Sequence, residues 1–264
     1  MKVAVCQLNS GTDRSANLAT ALDLLTQAAK AGADLAVLPE YTDYLGPTAQ
    51  APAPEPVDGP YPTALAAAAA EHRMWVVGGS FRELGPDPGR IYNTSLVFDR
   101  TGALAASYRK IHLYDVEIPG RVSFHESRSV APGQQPVVVN VEGVLVGLSI
   151  CYDLRFPELY RQLVDAGAQV LVVPAAFMLH TGRDHWEVLL RARAIENQCY
   201  VLAAAQIGDH APGRTCYGRS LVVDPWGTVL AQAPDQIGVT VTDLDFARLA
   251  RIRQELPSLT HRRL

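Results

Sequence analysis

An internal repeat constrains this chain more than any other feature. Ala31-Gly-Ala-Asp-Leu-Ala-Val-Leu-Pro39 returns as Ala166-Gly-Ala-Gln-Val-Leu-Val-Val-Pro174. Met74-Trp-Val-Val-Gly-Gly-Ser80 returns in character as Cys199-Tyr-Val-Leu-Ala-Ala-Ala205, and Tyr92-Asn-Thr-Ser-Leu-Val-Phe-Asp-Arg-Thr-Gly102 as Tyr217-Gly-Arg-Ser-Leu-Val-Val-Asp-Pro-Trp-Gly227. The order is kept and the offset stays near 125 to 135 residues. Each half reads helix–strand–helix–strand–hairpin, which predicts one pseudo-symmetric domain over residues 1–264 rather than two unrelated ones. In each half one sheet carries helices on its outer face. The two sheets then pack on each other, an α/β fold in four α-β-β-α layers with a pseudo-two-fold. Strands this apolar suit sheets covered on both faces. A single doubly wound sheet is the alternative, and the hairpins count against it because an all-parallel sheet has none.

Along the chain, residues 2–8 read as a strand. Ser15 or Asn17 can cap a helix to about residue 31, with Leu18, Ala21, Leu24, Leu25 and Ala28 on one face. A strand at 33–38 leads into 42–60, a Pro- and Ala-rich stretch read as a loop over the site. A helix at 62–72, a strand at 74–81 and a hairpin of 91–98 with 104–108 follow. Residues 111–133 are long, polar, aromatic and without period, and such segments are commonly functional. A hairpin of 136–141 with 144–150, a helix at 157–166, a strand at 169–173, a helix at 184–198 and a strand at 199–205 continue the second half. A hairpin of 219–223 with 229–232, a short strand at 239–241 and a helix at 246–256 complete it.

The balance of residues removes several function classes. A net charge of −4 leaves no basic footprint for nucleic acid. No apolar run reaches the length of a membrane span, and the first residues form a strand without a signal-peptide pattern, so a cytoplasmic protein is expected. Cys6, Cys151, Cys199 and Cys216 show no Cys-x-x-Cys spacing. His180 and His185 lack a third residue at ligand spacing, so neither a metal nor another cofactor is expected. A Gly-x-Ser-x-Gly elbow, a Walker loop and a dinucleotide fingerprint are all missing.

The chemistry centres on residues 146–158. The apolar run 146–150 reads as a buried strand ending on Cys151, and Pro157-Glu158 opens a helix. A side chain at that strand end is exposed and can have backbone N–H groups beside it, which suits a nucleophile and an oxyanion. Leu38-Pro-Glu40 and Tyr108-Arg-Lys-Ile-His112 supply two partners, since strand C-termini gather at one edge of α/β proteins. A carboxylate on Glu40 can take the thiol proton and pass it to a leaving amine. An ammonium on Lys110 can lower the thiol pKa and hold an oxyanion, aided by a backbone N–H such as that of Tyr152. Together they suit acyl transfer at a C–N bond through a thioester. Taken singly, Glu40 could be a cap, Lys110 a solvated charge and Cys151 a small core residue. Arg155 could bind a substrate carboxylate or brace the turn by pairing with Asp153 or Glu158.

Leu38-Pro-Glu40, Tyr108-Arg-Lys-Ile-His-Leu113 and Ile150-Cys-Tyr-Asp-Leu-Arg-Phe-Pro-Glu158 resemble the three signature segments of the nitrilase superfamily, the carbon–nitrogen hydrolases. The resemblance covers essentially the whole chain. It implies an α-β-β-α sandwich with Cys151 as nucleophile, Glu40 as general base and then acid, and Lys110 as oxyanion stabiliser. The family's second glutamate is matched in Phe124-His-Glu-Ser127 by Glu126, which would position Lys110 and the substrate.

Residues 115–120, 185–200 and 222–227 resemble the deaminated-glutathione amidase branch, and in a looser form the ω-amidases. The implied substrate is a small amide carrying a carboxylate. Arg155 is the first candidate cation for it and Arg183 the second, with Tyr44 and Tyr152 as further substrate-binding residues. An ω-amidase acting on 2-oxoglutaramate, or another amidase or nitrilase of the superfamily, is the alternative. A silent assembly subunit is the non-enzymatic one, and the presence of Glu40, Lys110, Glu126 and Cys151 together argues against it. Arg183-Asp184 and Arg219 depart from the branch pattern. The helix after Cys151 and residues 245–264, rich in Leu and Arg, are expected to pair the chain into a homodimer or a higher homo-oligomer.

Overall fold

Alternation along the first strand sets the layering of the computed structural model, which describes residues 1–118, 122–211 and 213–263. The first half contains β1 (Lys2–Gln7), α1 (Arg14–Lys30), β2 (Leu35–Val37), α2 (Pro60–His72), β3 (Trp75–Val77), β4 (Phe81–Leu84), β5 (Ile91–Phe98) and β6 (Leu104–Arg109). A two-stranded ribbon follows, β7 (Asp115–Ile118) and β8 (Val122–His125). The second half contains β9 (Val138–Val141), β10 (Val144–Leu148), α3 (Pro157–Asp165), β11 (Val170–Ala175), α4 (Leu179–Asn197) and β12 (Tyr200–Ala205). A second ribbon, β13 (Ile207–Ala211) and β14 (Arg214–Tyr217), precedes β15 (Leu221–Val223) and β16 (Val229–Gln232). The chain ends in β17 (Gly238–Asp243) and α5 (Phe246–Glu255).

Val3, Val5, Leu35 and Val37 join Val146 and Leu148 of the other sheet in one buried cluster. The alternate residues Ala4, Cys6, Leu8, Ala36 and Leu38 pack instead with Leu24, Leu25 and Leu65 of α1 and α2. A period of two with both faces apolar is what a sheet sandwiched between helices and a second sheet requires. The result is the expected α-β-β-α sandwich. One sheet runs β17-β1-β2-β3-β5-β4, with β6 also on β5, and the other β16-β15-β12-β11-β10-β9. Strands β1, β2, β3, β5 and β6 correspond in order to β10, β11, β12, β15 and β16. Even the outer antiparallel partner is matched, by β17 on β1 and β9 on β10. The repeat is therefore a repeat of topology.

Several element boundaries differ from the sequence reading. Asp13 caps α1, accepting from the N–H groups of Ser15 and Ala16 at 2.9 and 3.1 Å, where Ser15 or Asn17 was expected. The expected strand 74–81 is broken at Gly78-Gly79 into β3 and β4. Helix α4 starts five residues before the expected Asp184. Gly182, a poor helix former by propensity, lies in its first turns because a Cβ there would fall 2.4 Å from that of Tyr217. The irregular segment after Lys110 contains the ribbon of β7 and β8. No helix among the described residues is long and apolar enough to cross a membrane.

Candidate active site

Glu40 lies just beyond β2, in a loop held against the strand break at Gly79. Pro39 O accepts from Ser80 N at 3.1 Å and from Thr42 Oγ1 at 2.6 Å. The next residue, Tyr41, sits at φ 54° with its N–H on Ser80 Oγ at 2.9 Å. Gly79 has φ 66°, and a Cβ there would lie 1.9 Å from Pro39 O. Only glycine permits this approach, so Gly79 sets where the Glu40 carboxylate points. Glu40 Oε2 accepts from the Ala176 N–H at 2.8 Å, at the end of β11.

Lys110 follows β6, its N–H bonded to Asn93 O of β5 at 2.9 Å. The ammonium donates to Glu40 Oε1 at 2.8 Å and to Glu126 Oε1 and Oε2 at 3.1 and 2.9 Å. Glu126 also accepts from the Tyr41 hydroxyl at 2.8 Å and the Tyr114 N–H at 2.7 Å. Asn93 Nδ2 ties the two carboxylates together, donating to Glu40 at 2.9 Å and to Glu126 at 3.4 Å. Glu40, Lys110 and Glu126 are each 2% exposed. Such a group survives burial only because every charge has a partner and a hydrogen bond.

Cys151 begins a 3-10 turn between β10 and α3, at φ 48°. For a residue with a side chain this conformation costs ~1 to 3 kcal/mol and must be held by its surroundings. Asp153 does the holding. Its carboxylate accepts from the Ile150 N–H at 2.8 Å, the Tyr108 hydroxyl at 2.7 Å and the His112 N–H at 3.0 Å, and meets His112 Nδ1 at 2.8 Å. Tyr108 and His112 flank Lys110 by two residues on either side, so one buried carboxylate fastens the Cys151 turn to the Lys110 segment.

Lys110 lowers the thiol pKa as expected, but burial decides the net direction. Burial, and then the Glu40 charge, push the Cys151 thiol well above its ordinary range, and Lys110 opposes them only in part. Glu40 and the Ala176 N–H act on that thiol in opposite senses, the carboxylate raising its pKa and the N–H lowering it. Burial works against the Lys110 charge, but Glu126 and then Glu40 outweigh it and hold the ammonium well above its usual pKa. Burial likewise opposes ionisation of Glu126, and Lys110 outweighs it, so the carboxyl is held below the usual range. The arrangement is a neutral thiol beside two carboxylates and one ammonium.

These four residues line a cavity of about 440 Å³. Tyr152, Arg155, Phe177 and Arg214 also line it, as do Gly46 and Pro47 of the loop after Glu40. Tyr44 and Arg183 are not among the lining residues. Tyr44 is buried, with its hydroxyl on Pro47 O at 2.6 Å, and Arg183 is exposed on α4. Arg155 pairs with neither Asp153 nor Glu158. Its Nη1 and Nη2 lie 3.3 Å from His185 Nδ1, and its guanidinium stands 5.2 Å from the Phe177 ring centre. Asp184 is exposed, and Arg219 pairs with Asp235 at 2.7 Å, so the departures from the branch pattern fall outside the cavity lining. Within residues 115–120, Asp115 accepts from Ser127 N and Oγ at 3.0 and 2.6 Å, while Pro119 and Gly120 lie outside the described residues. No group of three or more His, Cys, Asp or Glu among the described residues could hold a metal ion.

Sequence reasoning missed Tyr41, Asn93, Tyr114, the Ala176 N–H and Arg214. One signal was available for Asn93: the repeat places Gly218 at the matching position, so that amide is not needed to build the hairpin.

Comparison with known proteins gives a consistent result. The carbon–nitrogen hydrolase family profile matches residues 2–254. The chain is similar to a Bos taurus protein named deaminated glutathione amidase, at 45% identity over 99% of this chain and 81% of the relative. It is similar to a Mus musculus protein named omega-amidase, at 40% identity over 99% of this chain and 95% of the relative. Among solved structures, the Caenorhabditis elegans NitFhit protein superposes with a TM-score of 0.91 at 39% identity, covering 99% of this chain and 65% of that one.

Proposed function

The chain belongs to the carbon–nitrogen hydrolase family and is a hydrolase of amide C–N bonds; from that premise we propose that it cleaves deaminated glutathione through a thioester on Cys151. The observation that carries this reading is the placement of a strained, buried thiol in one cavity with Glu40, with Lys110 shared between Glu40 and Glu126. Glu40 takes the thiol proton as sulfur attacks the amide carbon, so no resting thiolate is needed. Negative charge moves to the amide oxygen. Lys110, which spreads its contact over both Glu126 oxygens, can turn one N–H to that oxygen, with the Tyr152 N–H as second donor. The C–N bond then breaks as Glu40 passes its proton to the departing amine. Water attacks the thioester, giving a proton to Glu40, and the thiol leaves with that proton restored. Products are the carboxylate of the acyl part and the free amine.

Arg155 is the cation proposed for the α-keto carboxylate, since no carboxylate of the described residues is paired with it. The relative named deaminated glutathione amidase supports this substrate. The relative named omega-amidase supports a second reading, 2-oxoglutaramate. A cavity of about 440 Å³ favours the larger one, lying within the range of sites for drug-sized ligands. The test is ammonia or amine release from deaminated glutathione, 2-oxoglutaramate, glutamine, glutathione and a simple nitrile, with the acyl group on Cys151 weighed by mass spectrometry after rapid quenching. Highest kcat/KM for deaminated glutathione is expected. Equal turnover of intact glutathione would sink the assignment, because its protonated amine would meet no partner.

We also propose that the protein is cytoplasmic and assembles into a homodimer or a higher homo-oligomer. The large exposed apolar side chains include Val188 and Ile195 of α4 and the nearby Trp226. The expected C-terminal surface is partly used within the chain, where Arg262 pairs with Asp165 and Arg253 Nη2 donates to Ala168 O. Sedimentation should give at least twice the 28.5 kDa chain mass, and a Val188→Glu, Trp226→Glu double variant should sediment as one chain. A parent that sediments only as a single chain would remove this proposal.

A further inference from the structure

Among the described residues two arginines line the cavity, and the mechanism uses one. Arg214 opens β14, after Gly213, and lines the same cavity as Cys151. Its guanidinium stands 5.2 Å from the ring centre of Phe124 on the other ribbon, so the two ribbons meet across the cavity through a cation–π contact. Among the described residues no carboxylate forms an ion pair with it. Arg155 is similarly unpaired but sits on different supports, over Phe177 and Tyr152 and against His185. Both arginines line the cavity that Cys151 lines, together with Tyr114.

We infer that Arg214 holds the carboxylate at the leaving-group end of the substrate, while Arg155 holds the one at the acyl end. This rests on the proposed deaminated-glutathione activity and adds a source of specificity to it. The argument is one of charge matching. Glu40 and Glu126 bring two negative charges against the one positive charge of Lys110, so the catalytic centre repels a substrate carboxylate. An anionic group is accepted only where a separate cation meets it. Deaminated glutathione carries two carboxylates, the α-keto acid on the acyl side of the scissile amide and the terminal glycine on the amine side. 2-Oxoglutaramate carries the first and lacks the second, its leaving group being ammonia. A guanidinium without an internal partner, displayed on an aromatic ring at a cavity wall, suits a carboxylate that arrives with the substrate and departs with the amine. Arg214 therefore separates the two substrates that share an acyl group.

The experiment compares kcat/KM for deaminated glutathione, for the same molecule with its glycine carboxylate converted to a carboxamide, and for 2-oxoglutaramate. The enzymes are the parent, Arg214→Gln and Arg214→Lys. The parent should lose about tenfold or more on the carboxamide, mainly in KM, a comparison that needs no variant to fold. Arg214→Gln should lose a similar factor on deaminated glutathione but under about threefold on the other two, and Arg214→Lys should recover part of the loss. Equal losses of Arg214→Gln on all three substrates, or a parent indifferent to the carboxamide, would overturn the inference. A parent that turns over 2-oxoglutaramate and leaves deaminated glutathione untouched overturns the underlying activity instead, and the inference with it.

Discussion

The Tyr108 hydroxyl and the Asp153 carboxylate are joined by a buried hydrogen bond of 2.7 Å that links the two sheets at the active site. Tyr108 is in β6, two residues before Lys110, and Asp153 is two residues after Cys151. Removing the hydroxyl leaves a buried carboxylate short of one donor. Tyr108→Phe should cost roughly 1.5 to 3 kcal/mol of stability, as for other hydrogen bonds to charged groups. It should also lower kcat more than it raises KM, because the bond sets the spacing of the Cys151 thiol and the Lys110 ammonium. Chemical denaturation with steady-state kinetics checks both. A loss of stability with kcat intact would show that the two segments keep their spacing without it.

Cys151 should be the one cysteine that chemistry needs. Cys151→Ala should abolish turnover with the fold retained, whereas Cys6, Cys199 and Cys216, whose thiols burial pushes to about 12, should each be replaceable by Ala without loss of the chemical step. The Cys151 thiol is raised too, so below its pKa the neutral form prevails and the reactive thiolate grows as pH rises. Alkylation by iodoacetamide should still be climbing at about pH 9, beyond the ordinary thiol midpoint. Glu40→Gln removes a charge that raises this pKa, so the midpoint should move down even as amide turnover falls. A plateau already reached at neutral pH in the parent would mean a resting thiolate–ammonium pair.

Lys110→Ala should be the most destabilising change in the site. It leaves the buried Glu40 and Glu126 carboxylates facing each other without their cation, at a cost on the order of 3 to 5 kcal/mol. Glu126→Gln keeps the shape and loses one charge. Its fold should survive, with kcat lowered on the order of 10² to 10⁴-fold if Lys110 must be held for the oxyanion. Thermal unfolding of both variants beside their kinetics tests the ranking. A Glu126→Gln enzyme with the parent kcat would reduce Glu126 to a structural counter-ion.

Gly79→Ala should separate fold from function in another way. The added methyl would strike the Pro39 carbonyl, so the loop carrying Glu40 must move. Turnover should drop at least about tenfold, since Glu40 is the proposed acid–base group and acts poorly when displaced. Substitution at Gly143, where φ is 90° but nothing lies within 4 Å, should affect stability alone. Kinetics of both variants decide the matter, and a fully active Gly79→Ala enzyme would mean that the loop tolerates the shift.

What the chain reveals before it is folded follows from how local each feature is. The Cys151 turn is legible because a continuous apolar strand, a polar break and Pro157 lie within one short stretch. Glu40 and Lys110 are legible as strand ends, and the sandwich as a repeat. Asn93 and the Ala176 N–H are not, because they reach Glu40 across 53 and 136 residues of sequence. The net thiol pKa is not legible either, because its direction depends on burial, which residue spacing does not report. Gly78-Gly79, facing Ala203-Ala204 in the other half, was a visible asymmetry whose meaning emerges only when the Pro39 carbonyl is seen beside it.

The matched sheets carry an inheritance that has been divided. At the position where the first half offers the Glu40 carboxylate, the second half has Ala175, and the next residue supplies only an amide N–H to that same carboxylate. Glu40 and Lys110 belong to the first half, Cys151 to the second, and Glu126 to the segment between them. Neither copy retains a working set, so neither can be lost, silenced or exchanged alone. Were the chain severed in the stretch after Gly133, two fragments would each be chemically mute, and hydrolysis would become a readout of their reunion.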